Sequence, residues 1–96
     1  MIILIVEAAV SPANREAFLA AARAQAEASR AEEGCIAFDV LEDPFSAGAI
    51  RFVELWNSAD DLALHRDRPH SAHFRQTGRP LADSLAVLKF EASELS

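Results

Sequence analysis

The chain has no tyrosine, a single cysteine and no cluster of basic residues. One cysteine, Cys35, excludes an intrachain disulfide framework and fits a reducing compartment. Nine Lys and Arg against fifteen Asp and Glu give a net charge of −6. With no basic cluster, that balance argues against nucleic acid or an anionic membrane as partner. There is no Gly-rich phosphate loop, no G-x-S-x-G elbow and no paired-carboxylate signature. The apolar start, MIILIVEAAV, has no positive n-region and is interrupted by Glu7. It reads as a buried strand, not a signal peptide or membrane span, so the expected location is the cytoplasm.

What is present is an unusually apolar small domain. The 96 residues fit one domain, 1–96, yet 51% of them are hydrophobic. A chain of this size buries only about 60–65% of its unfolded surface, so its core is marginal if it stands alone. The apolar excess therefore calls for a second buried surface, most simply a symmetric homodimer interface.

In order, Ile2–Ala9 is a continuous aliphatic run without alternation, which predicts a strand covered on both faces. Ser11-Pro12 starts a helix expected from Pro12 to about Glu32, with Phe18, Leu19, Ala22 and Ala26 as its apolar stripe and Gly34 as its C′ stop. Cys35–Glu42 and Ile50–Trp56 read as an antiparallel hairpin around the turn Asp43–Gly48. Ser58, with Asp61 three residues on, caps a short helix from Ala59 to about Arg66, which Pro69 breaks. His70–Thr77 gives a further helical stretch, stopped by Gly78 and Pro80, and Leu85–Ala92 a last strand. The order β-α-β-β-α-β is the ferredoxin-like α+β unit. Its helices lie on one side of the sheet, so apolar strands imply that the bare side meets a second copy and closes a dimeric α+β barrel.

The chemistry-bearing residues gather between Ile50 and Phe74. The only Trp lies there, and all three histidines, His65, His70 and His73, fall within nine residues. Phe52, Glu54 and Trp56 share one face of their strand, and the following helix brings back Leu62 and His65. This predicts a pocket with aromatic walls, one or two imidazoles and Glu54 as an orienting acid. His70 begins a helix, where a cation is disfavoured, so its ring tends to stay neutral and able to accept a proton. The structural alternatives are His70 as a helix-start residue bonded to free backbone N–H groups or water, and His65 as a half-buried residue packed against the sheet. His73 reads as solvent-facing. The Pro break between the histidines, with no Cys or helical His-Glu motif, argues against a metal site. Cys35 reads as a small buried hydrophobe.

The words EGCIAFDVLEDP (Glu33–Pro44) and FVELWNSADDLALHRDRPH (Phe52–His70) closely resemble the antibiotic biosynthesis monooxygenase, or quinol monooxygenase-like, family. The resemblance runs over almost the whole chain. It implies a dimeric α+β barrel with a pocket in each protomer. It also implies oxygenation of small aromatic quinols or polyketides by dioxygen without metal, flavin or other cofactor. The family's Trp matches Trp56, and its helix-end histidines match His65 and His70. Phe52 stands where some members have Asn, the Tyr used in those sites is absent, and the first strand lacks the Asn of haem-degrading relatives. The expected site is thus His70 as base, His65 as second catalytic group, and Trp56, Phe52, Glu54 and Phe74 around the substrate. The alternatives are a non-catalytic dimeric binder of a hydrophobic small molecule, and haem degradation.

Overall fold

The computed structural model describes residues 1–95. Its first strand, β1 (Ile2–Ala9), treats alternate residues differently. Ile2, Leu4, Val6 and Ala8 are buried, whereas Ile3 and Ile5 are half-buried and Glu7 and Ala9 exposed. The expectation that both faces would be covered therefore fails within one chain. The physical reason is that every helix packs on the same side.

The other strands are β2 (Cys35–Glu42), β3 (Ala49–Trp56) and β4 (Ser84–Glu91), arranged β2-β3-β1-β4 with all neighbours antiparallel. A 3-10 turn (Pro12–Asn14) leads into α1 (Arg15–Arg30), and α2 (Ala59–Asp67) and α3 (Pro69–Thr77) connect β3 to β4. This is the ferredoxin-like α+β arrangement expected from the sequence. Register pairs Ile3 with Leu55 and Phe90, and Ile5 with Val53 and Leu88, so these six side chains form the helix-free face. Leu88 and Phe90 are 49% and 48% exposed on it.

The covered face is built on aromatic packing. Phe18 of α1 stacks on Phe52 with ring centroids 6.0 Å apart, and Phe38 and Phe74 approach Phe52 at 5.6 and 5.7 Å. Phe18, Phe38, Phe52 and Trp56 are nearly or fully excluded from water. Each such ring contributes about 2–3 kcal/mol by burial alone. They hold the sheet against α1 and the α2–α3 pair.

Helix boundaries depart from the sequence reading at α1. Pro12 begins a 3-10 turn instead of the α-helix, and the Ser11 side chain makes no capping bond. The helix ends at Arg30, and the chain continues through turns in which Glu32 N–H donates to Ser29 O. Gly34 is therefore not the left-handed C′ residue; only Gly48, at φ +81° in the β2–β3 turn, takes that conformation among the described residues. Gly34 is small for another reason. A Cβ there would lie 2.3 Å from Asp61 Cγ. The Ser58 cap forms as expected, accepting Asp61 N–H at 3.2 Å, although the Asp61 carboxylate accepts a hydrogen bond from the Ser58 hydroxyl, at 2.9 Å, and not from its backbone N–H. Arg68, held extended by the following Pro69, separates α2 from α3.

Replacing Gly34 by Ala forces Asp61 off the α2 cap. The expected loss, read from urea unfolding, is about 2 kcal/mol. An unchanged midpoint would show that Asp61 gives way freely.

Candidate active site

Three segments deliver polar groups to one buried point. The turn after α1 brings Glu32, the last turn of α2 brings His65, and the first turn of α3 brings His70 and Ser71. The Glu32 side chain is only 7% exposed, and both its oxygens have donors. Oε2 lies 2.7 Å from His65 Nδ1 and 3.0 Å from His70 Nε2, and Oε1 accepts from Arg68 Nε at 3.3 Å. A buried carboxylate needs such partners, because removing it from water uncompensated costs several kcal/mol.

His65 is fixed on its other sides as well. The Trp56 ring lies 4.4 Å from it, centroid to centroid, and Ser71 Oγ is 3.4 Å from both ring nitrogens. Burial pushes its pKa below the ordinary imidazole value, against the opposing effect of its hydrogen bond to the Glu32 carboxylate. With Nδ1–H donated to Glu32, a neutral ring keeps its lone pair on Nε2. That nitrogen faces Glu54 Oε1 at 4.0 Å.

Glu54 is the second buried acid. Its carboxylate accepts the Trp56 indole N–H at 3.1 Å, and burial drives its pKa from 4.5 to about 7 despite that bond. At neutral pH it therefore exchanges a proton readily, beside a neutral imidazole.

Both groups line a cavity of about 160 Å³ between the sheet and the helices. An engineered apolar cavity of roughly this size takes one benzene ring. Phe38, Phe52, Leu62 and Phe74 supply its apolar wall. Of the residues expected here, His65, Phe52, Glu54 and Phe74 line this cavity. Trp56 does not; it is fully buried behind the wall, where its indole holds Glu54. Nor does His70, whose position at the start of α3 turns its ring onto Glu32. His73 is exposed. Cys35 is half-buried, and burial together with the charges of Glu32 and Glu54 pushes its thiol pKa up.

Glu32, Ser71 and Gln25 were not singled out from the sequence. One signal pointed to Glu32: an acid near a helix C-terminus is electrostatically disfavoured and asks for a partner. Ser71 and Gln25 gave none.

Glu32, His65 and His70 place one ligand atom each within 4.8 Å of one another, so they are the residues that could hold a metal. Two ligands of one tetrahedral zinc stand roughly 3.4 Å apart. The observed 2.7 and 3.0 Å are the spacings of hydrogen bonds to a shared oxygen.

The fold and this buried acid–imidazole site define a small ferredoxin-like protein with a one-ring pocket. The sequence model of the antibiotic biosynthesis monooxygenase family matches residues 1–77. A Bacillus subtilis protein named "Putative monooxygenase YcnE" is 32% identical over 95 residues, covering 98% of this chain and all of that one. A conserved protein of unknown function from Bacteroides thetaiotaomicron has a solved structure that superposes with a TM-score of 0.91 at 34% identity, over 95% of this chain and 96% of that one. Rv0793 from Mycobacterium tuberculosis superposes equally well, TM-score 0.91, at 26% identity over 99% and 97% of the two chains. The chain belongs to the antibiotic biosynthesis monooxygenase family.

Glu54 makes stability depend on pH with a definite sign. Its folded pKa, about 7, lies above the unfolded 4.5, so its contribution is complete below pH 4.5 and lost as pH rises through 7. Glu54→Gln keeps an acceptor for Trp56 and removes the titration. Between pH 4.5 and 8 the wild type should lose on the order of 2–3 kcal/mol relative to this variant, measured by urea unfolding at each pH. Parallel curves would mean that Glu54 is ionised throughout.

Proposed function

We propose that the protein is a homodimeric monooxygenase that oxidises a small aromatic quinol with dioxygen, without a prosthetic group. The observation that carries this is His65 in the cavity lining, anchored through Nδ1 by Glu32 and with Nε2 facing Glu54, in a chain of this family. His65, in place of His70, is then the general base, and His70 braces Glu32. Nε2 takes a phenolic proton, and the electron-rich phenolate passes an electron to dioxygen. Glu54 stands beside His65 to accept or return a proton. Quinol and dioxygen give hydroxyquinone and water, so oxygen is the only oxidant required. The apolar walls exclude water and hold the ring in place.

The dimer has its own support. Ile3, Ile5, Val53, Leu55, Leu88 and Phe90 form an apolar sheet face that no helix of the chain covers. Such a face fits a second copy, sheet against sheet. Among the described residues no helix is long and apolar enough to cross a membrane. A cytoplasmic location accords with the single free cysteine.

Oxygen uptake with a panel of monocyclic hydroquinones tests the activity. The protein should exceed the spontaneous rate. His65→Ala should lower turnover about 100-fold or more, and His70→Ala by less. The rate should fall on the acid side at a pH below about 6.5, where His65 takes a proton. No enhancement over the spontaneous rate, or an unaffected His65 variant, overturns the assignment.

Sedimentation equilibrium should give twice the 10.4 kDa chain mass. Leu88→Glu, at a half-exposed position, should return it to one chain without unfolding it. A wild-type monomer removes the dimer from the proposal.

A further inference from the structure

The geometry points to a substrate that carries an acid group on its ring, held at the cavity by Arg66, Arg75 and Arg79. This rests on the quinol reading for the ring chemistry and adds the substrate's charge. Of eight arginines, five are ion-paired to carboxylates: Arg15, Arg23, Arg30, Arg51 and Arg68. The other three, Arg66, Arg75 and Arg79, have no carboxylate partner among the described residues, and all three line this one cavity. The single lysine, Lys89, is likewise unpaired among them. It pairs in register with Leu4 on the cavity side of the sheet, two residues beyond Val87, another lining residue.

In a chain of net charge −6, carboxylates are the more plentiful partners, and a surface arginine ordinarily meets one. Gathering the unpaired guanidinium groups around one opening costs mutual repulsion, which a bound anion relieves. The arrangement is not a loose surface patch. Arg75 Nη1 donates to the Arg66 backbone carbonyl at 3.0 Å, tying the α3 cation to the end of α2. Arg66 also acts on the cavity interior, since its charge pulls the pKa of buried Glu54 down against desolvation.

The buried part of the lining has the opposite character. Gln25 Oε1 is buried without a hydrogen-bond partner, and Ser71 and Glu54 offer further oxygens. These acceptors suit the hydroxyl groups of a phenol, while the exposed arginines suit a carboxylate. With room for about one ring, the ligand is a monocyclic hydroxylated aromatic acid, not a neutral polycycle.

The test uses 2,5-dihydroxybenzoate, its methyl ester and 1,4-hydroquinone, titrated calorimetrically under nitrogen against the whole protein. The free acid should bind roughly tenfold tighter than the ester or hydroquinone, and added salt should weaken the acid alone. The double variant Arg66→Gln, Arg79→Gln, at two exposed positions, should lose that advantage for the acid and leave the ester unchanged. Equal affinity for acid and ester, or equal loss for both in the variant, overturns the inference. Because the acid–ester comparison uses wild-type protein, it stands even if the variant misfolds. Tight, charge-selective binding without oxygen uptake in air supports the acid-binding cavity while defeating the oxygenase reading. Consumption of the ester or hydroquinone with no preference for the acid does the reverse.

Discussion

The carboxylate of Glu32 is the point on which the site depends. One oxygen serves His65 and His70, and the other serves Arg68. The three donors come from α2, α3 and the link between them, so one buried charge fixes both helices to the turn after α1. Leaving that charge without donors would cost several kcal/mol, a large part of the stability of a small domain. The same bonds that close the fold also set the His65 tautomer. Structural and chemical roles are therefore not separable here.

A second constraint is dryness. Glu54 sits on the covered face of β3 with only the Trp56 indole as donor. Its burial is tolerated because it can be held protonated near neutral pH. Placed 4.0 Å from His65, whose burial favours the neutral ring, it gives the cavity an acid that changes charge near neutral pH beside an imidazole able to accept a proton. Apolar walls and paired proton-active groups suit proton removal from a weakly acidic ring hydroxyl.

The two sides of the sheet divide the apolar composition between them. One side builds the core and cavity around Phe52; the other presents Ile3, Ile5, Val53, Leu55, Leu88 and Phe90 outward. This explains why β1 lacks hydrophobic alternation although one chain buries only its even-numbered residues. The cations show a comparable division, five arginines paired on the surface and three around the cavity.

Local chemistry alone determined the element order, the Ser58 cap, the break at Pro69 and the common face of Phe52, Glu54 and Trp56. Capping, proline sterics and strand alternation act between residues close in sequence, so they can be read along the chain. Tertiary structure alone decided that Glu32 meets residues 33 and 38 positions away, that His65 and not His70 lines the cavity, and that Trp56 supports the wall from behind. Those outcomes depend on where α1 ends and how α2 and α3 cross the sheet. They arise from burial and charge pairing between distant segments, which no local pattern encodes.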